Sequence, residues 1–187
     1  MEVEYHEEYV RSSRGVQLFT CGWLPAAASP KALVFLCHGY GMECSGFMRE
    51  CGVRLAAAGY GVFGMDYEGH GKSMGARCYI RSFRRLVDDC GHFFKSVCEL
   101  EEYRGKSRFL YGESMGGAVA LAAAHRGPRL LGRRRPRGAH VQDIGEGEAA
   151  PSGDHAPDAG GGRDPQVEDR AHQAGRHRRR LQGPRQA

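Results

Sequence analysis

An α/β fold, a mostly parallel sheet with helices on both faces, is what residues 1–125 predict. Three observations carry that expectation. Short runs at Ala32–Cys37, Tyr60 to Met65 and Ser107 to Tyr111 read as buried strands, too short for helices of ordinary length. Each is followed by a stretch with helical spacing, so strand and helix alternate, as right-handed crossovers between parallel strands require. The strands also end in glycine-bearing loops, where sheets of this kind keep their functional groups.

Taken in order, Glu8 to Arg11 and Val16 to Trp23 are strand candidates about a turn at Ser13-Arg14-Gly15. The loop Pro25 to Pro30 leads into the apolar run Ala32–Cys37. Phe47 to Ala58 has Phe47, Cys51, Leu55 and Ala58 at helical spacing, with Gly59 as its stop. The run Tyr60 to Met65 ends at Asp66 and opens a loop, Tyr67 to Ala76, with Gly69, Gly71 and Gly75. Ile80 to Tyr103 reads as one long amphipathic helix, with Phe83, Leu86, Val87, Phe93, Phe94 and Val97 on its apolar side. After the third strand, Ala118 to Ala124 is an alanine-rich helix.

Composition changes abruptly near His125. Residues 1–125 carry 14 basic and 14 acidic groups, whereas residues 126–187 carry 13 Arg against 8 acids and supply the whole net charge of +5. The tail has no aromatic residue and no Lys, Cys or Met. Ordering a residue costs roughly 1–2 kcal/mol of backbone entropy, which so few large aliphatics cannot offset. Residues 126–187 are therefore expected to be a disordered Arg/Gly/Pro-rich tail. The acidic start lacks the basic region of a signal peptide, and no apolar run approaches the roughly 20 residues of a membrane span. Seven cysteines without paired metal-ligand spacing read as reduced thiols, so a cytoplasmic chain without metal or other cofactor is expected. The arginine runs at 133–135 and 178–180 have no aromatic residues between them to stack on bases, which speaks against nucleic acid as a partner.

Three motifs carry chemistry. Gly112-Glu113-Ser114-Met115-Gly116 joins a strand to a helix, and a serine on such a turn is strained and raised into solvent as a nucleophile. Gly112 and Gly116 leave room for neighbouring backbone. His38-Gly39-Tyr40-Gly41 follows a buried strand and can offer a backbone N–H. With the N–H of Met115, that of Tyr40 forms the natural pair of oxyanion donors for acyl transfer. His38 itself reads as a structural histidine that fixes the loop. Asp66-Tyr67-Glu68-Gly69-His70-Gly71-Lys72-Ser73 contains an acid and an imidazole, but both precede the nucleophile in the chain. Asp66 and His70 are expected to shape a turn beside the nucleophile. Gly71-Lys72-Ser73 lacks the preceding glycine of a phosphate loop.

With these motifs in this order, residues from about Glu7 to Ala124 resemble the α/β-hydrolase superfamily, in particular its monoacylglycerol lipase, lysophospholipase and caffeoylshikimate esterase-like group. The resemblance implies the N-terminal portion of an α/β-hydrolase fold, with Ser114 as nucleophile and Tyr40 and Met115 as oxyanion donors. It also implies hydrolysis of acyl esters such as monoacylglycerols or lysophospholipids, without a metal, and admits peripheral contact with a membrane. A non-catalytic fragment or pseudoenzyme that binds a ligand or partner is the alternative. The family continues with further strands, a cap and the triad's acid and histidine, and nothing after residue 125 resembles that half. Codons compatible with Gly132 to Glu146, read one base later, spell Asp-Gly-Ala-Val-Leu-Val-Ala-Pro, a buried-strand sequence. The tail is accordingly read as out of frame, with a natural basic tail as the other reading.

Overall fold

The computed structural model describes residues 2–126 and 177–181, the latter for their backbone alone. Nine residues, Val3–Arg11 (β1), pair antiparallel with Gln17–Pro25 (β2) across a tight hairpin. Ala32–Cys37 (β3) pairs in parallel with Gly61–Met65 (β4) on one side and with Ser107–Gly112 (β5) on the other. β2 runs antiparallel beside β4. The hairpin thus extends a parallel β5-β3-β4 unit. His177–Leu181 (β6) pairs antiparallel with β1, which gives the order β5-β3-β4-β2-β1-β6.

Helices cover both faces. Arg49–Ala57 (α1) packs on one, and Phe83–Glu99 (α2) and Met115–Arg126 (α3) on the other. The alternation of side chains along a strand sorts β3 cleanly. Leu33, Phe35 and Cys37 join α2 and α3, while Val34 and Leu36 join α1, Trp23 and Val62. All six residues of β3 are buried, and fully burying a side chain such as Phe35 contributes roughly 1.5–3 kcal/mol. The Ser82 hydroxyl caps α2 by accepting from the Arg85 N–H at 3.4 Å. Arg14, at the hairpin turn, donates to both carboxylate oxygens of the buried Asp89 on α2 and to Glu68 at 2.6 Å. That network ties hairpin, loop and helix together.

Several expectations need correction. β1 begins at Val3 rather than Glu8, since its alternating Val-Glu-Tyr-His-Glu pattern suits a strand with one face buried. The long helix ends at Glu99, and a separate 3-10 turn at Glu101–Tyr103 follows. α3 starts at Met115, not Ala118. β5 is not buried on both faces: Leu110 packs with α2 and α3, while Phe109 and Tyr111 are 43% and 38% exposed. β5 ends the sheet order and α1 packs mainly over β2, β4 and β1, reaching β5 only where Cys51 comes near Tyr111, so that side of β5 is partly open. Arg126, counted with the tail, closes α3 and donates to Asp88 at 2.8 Å. The β6 backbone is likewise a strand within a stretch read as disordered. An open β1 edge offers backbone groups to pair, which composition does not reveal. The disorder and altered frame read for residues 127–176 and 182–187 lie outside the described residues.

Candidate active site

Ser114 sits where β5 turns into α3, with φ +53, one of two non-glycine residues at positive φ among those described. A serine held there stores strain of order 1–3 kcal/mol, which the surrounding packing must sustain. That packing depends on two glycines. A Cβ at Gly112 would strike the Gly116 carbonyl, and one at Gly116 would fall on the carbonyl of Cys37. The Glu113 N–H also donates to the Cys37 carbonyl at 3.1 Å. The turn is therefore clamped to the end of β3, and Ser114 is left exposed at its tip.

The clamp brings the serine turn and the His38-Gly39-Tyr40-Gly41 loop together. Gly39 lies beside the Glu113 carbonyl, 3.4 Å from where a Cβ would be. Among the described residues, the backbone N–H groups of Tyr40 and Met115 have no hydrogen-bond partner. For Met115 this follows from its place at the start of α3, where the first N–H groups have no intrahelical acceptor. Two unpartnered donors in adjoining segments are what an oxyanion site is built from.

His38 is fully buried and committed at both nitrogens. Nδ1 lies 2.8 Å from the Gly39 carbonyl, and Nε2 lies 3.1 Å from the Tyr67 N–H. The Tyr67 donor fixes Nε2 as acceptor, so Nδ1 carries the proton. Burial lowers the imidazole to about 4, so it stays neutral, and it stacks on the Tyr67 ring at 3.8 Å. Asp66 accepts from the Cys44 N–H at 2.8 Å and the Lys72 N–H at 2.9 Å, and the Ser73 hydroxyl donates to its carbonyl. Burial raises its carboxyl above the ordinary value, against those two N–H bonds. It holds the Asp66 to Ser73 loop to the Cys44 loop. His70 is buried among Tyr40, His38 and Tyr67, with Nδ1 3.2 Å from the Glu68 carbonyl and Nε2 without a partner among the described residues. No described residue hydrogen-bonds the Ser114 hydroxyl.

Sequence reasoning did not find the contribution of Cys44, whose N–H holds Asp66, or of Cys78. Cys78 has φ +54, and its carbonyl accepts from the Tyr40 hydroxyl at 2.9 Å. A backbone acceptor and a left-handed cysteine leave no signal in residue type. Among the described residues no group of His, Cys, Asp and Glu could hold a metal ion, and no helix is long and apolar enough to cross a membrane.

Residues 28–133, more than half the chain, match the family described as serine aminopeptidase, S33. Caffeoylshikimate esterase from Arabidopsis thaliana is 36% identical over 126 residues, which cover 64% of this chain and 38% of that protein. Monoglyceride lipase from Homo sapiens is 39% identical over 114 residues, covering 61% and 36%. The chain thus spans less than half the length of these relatives. Among solved structures, Est1E from Butyrivibrio proteoclasticus, with ferulic acid bound, superimposes with a TM-score of 0.59 at 18% identity. That alignment covers 66% of this chain and 49% of Est1E, and it shows a shared α/β-hydrolase fold.

Proposed function

Since the chain belongs to the serine aminopeptidase S33 family of hydrolases, we propose that its site is built for acyl-ester hydrolysis with Ser114 as nucleophile. The observation that carries this is the strained turn that presents an exposed Ser114 beside two unpartnered N–H groups. The Ser114 Oγ adds to the acyl carbonyl carbon while a base takes its proton. The carbonyl oxygen becomes an oxyanion held by the N–H groups of Tyr40 and Met115. Collapse expels the alcohol, which takes that proton, and water then releases the acid by the same route. Losing one such donor typically costs about 3–4 kcal/mol of barrier. Monoacylglycerols, lysophospholipids and related acyl esters are the proposed substrates. The names of the lipase and esterase relatives support that class. Reduced thiols fit a cytoplasmic setting.

The base is the missing part. His38 has both nitrogens engaged by the backbone, and neither it nor His70 hydrogen-bonds the Ser114 hydroxyl, so neither takes its proton in this arrangement. We therefore propose that the 187-residue chain turns over negligibly. Residues from about 126 onward would be an out-of-frame translation of the half that supplies the acid and histidine. A second reading, a non-catalytic fragment that binds a ligand, is favoured by the same unpartnered hydroxyl. Hydrolysis of a short-chain aryl ester tests all of this. The chain as given should match buffer. The chain with its frame restored near Arg126 should hydrolyse the ester, with Ser114→Ala costing several orders of magnitude in rate. Turnover by the unaltered chain, abolished by Ser114→Ala, would reveal a base within it. A restored chain indifferent to Ser114→Ala would remove the nucleophile.

A further inference from the structure

The segment that runs from Gly69, within the Asp66 to Ser73 loop, into α2 is unusual in charge and in what it exposes. From Gly69 to Val87 there is no Asp or Glu, while Lys72, Arg77, Arg81, Arg84 and Arg85 fall within it. Three large apolar side chains lie in the open between these cations: Met74, Tyr79 and Phe83, at 56%, 62% and 40% exposure. Tyr79, Arg81 and Arg85 also share the rim of a cavity of about 220 Å³ with Arg14, Glu68 and Ser82. Most acids nearby are already engaged, Glu43 beside Gly71 being the exception, and Glu7 is held by Lys72. Glu68 and Asp89 are held by Arg14, and Asp88 lies between Arg84 and Arg126. Arg77 donates to the Gly71 carbonyl. Arg81 and Arg85 have no acidic partner among the described residues.

We propose that this surface docks the protein on an anionic bilayer, with Arg81 and Arg85 among lipid phosphates and Met74, Tyr79 and Phe83 entering the interface. Cations interleaved with exposed apolar side chains, without acids, match a negatively charged membrane surface. Protein interfaces also enrich arginine, methionine and aromatic residues; what favours a bilayer is that the four arginines within residues 77–85 come with no acid between them. The placement suits the site as well. The Tyr40 hydroxyl holds the Cys78 carbonyl at 2.9 Å, so the docking segment is fastened to the loop that offers the Tyr40 N–H. The proposal takes from the acyl-ester reading only the direction of substrate arrival, out of the bilayer.

The test is cosedimentation of the full chain with phosphatidylserine–phosphatidylcholine vesicles and with pure phosphatidylcholine vesicles. Binding should need phosphatidylserine. Arg81→Gln/Arg85→Gln should weaken it about twenty-fivefold, at roughly fivefold for each charge near the surface. Lys95→Gln, exposed toward the C-terminal end of α2, should leave it unchanged. Because Trp23 is buried, the emission of Phe83→Trp should shift to the blue when vesicles are added. Ser114→Ala should bind like the parent, which separates this result from any result on hydrolysis. Binding that survives the double substitution would assign it to the arginine-rich tail and overturn the proposal. So would binding with no shift at Phe83→Trp. Equal binding to polyglutamate, again without a shift, would mark the patch as a surface for acidic proteins instead.

Discussion

His38 shows how a residue's chemistry is set by its surroundings. A histidine after a buried strand can be base, ligand or brace. The structure makes it a brace, neutral and bonded at both nitrogens to backbone. Its depressed folded value has a consequence for stability. Between about 6.5 and about 4 the unfolded chain takes up a proton at this position and the folded chain does not. Stability is therefore fully present above 6.5, falls as pH drops through that window, and levels off below about 4. The whole effect is about 3 kcal/mol at most. Asp66 acts in the opposite sense. Its raised carboxyl binds a proton more readily when folded, so it returns some stability toward the acid end. Urea denaturation at pH 7 and pH 5 should show the loss, and His38→Gln should flatten the dependence. A parent protein equally stable at both values would contradict the buried neutral imidazole. The cysteines make a second residue-scale case. Cys21, Cys37, Cys44, Cys90 and Cys98 are buried, and burial pushes the Cys37 thiol up to about 12. A thiol reagent should find only Cys51 and Cys78 quickly in the native protein, and the other five only on unfolding. More than two fast thiols would show that the core opens.

Among the elements, the strand-to-helix turn is the one whose sequence and geometry explain each other most fully. Gly112→Ala or Gly116→Ala drives a methyl into backbone that cannot yield. Each should lower the thermal midpoint by several degrees or prevent folding, which calorimetry reads directly. Ser114→Gly should raise it, because glycine takes φ +53 without strain. A lower midpoint for Ser114→Gly would mean that the turn is not strained. The legibility of the elements follows the same physics. Ala32–Cys37 was plain in the sequence because an apolar run buried on both faces has no polar residue to confuse it. β1 was half missed, since Glu4 and His6 interrupt the apolar positions of a strand with one face inward. The start of α3 is hidden in the sequence because Gly116 and Gly117 suppress helix propensity, yet the close approach to Cys37 requires a glycine at 116. Of the site, the motif residues were visible. The contacts that unite them run through the carbonyls of Cys37, Glu113 and Cys78, which every residue type possesses.

At the scale of the whole molecule, the described sheet has two edges, β5 and β6, and they differ in what lies beside them. β3 is flanked by β4 and β5, and the hairpin extends the sheet beyond β4 to β6. β5 has no further strand beside it among the described residues, and Phe109 and Tyr111 stand half-exposed on its more open face. An edge of this kind recruits other chains. The protein should form soluble aggregates at micromolar concentration, seen by light scattering. Phe109→Ser/Tyr111→Ser should reduce them without loss of the far-ultraviolet helix signal. A monodisperse parent with a sharp cooperative transition would show that something covers that face.

The central place of β3 also has a cost in time. The strand is complete at Cys37, yet its two neighbours begin only at Gly61 and Ser107. At roughly 5–20 residues per second, a ribosome needs roughly 4–14 s to deliver the second partner after β3 has been made. For that interval six apolar residues leave the exit tunnel with one edge or both unpaired, in a segment that carries neither charge nor proline. The position that makes β3 the most protected strand of the finished fold makes it the most vulnerable stretch of the nascent chain, and the moment that ends its vulnerability is the arrival of the strand that leads to Ser114.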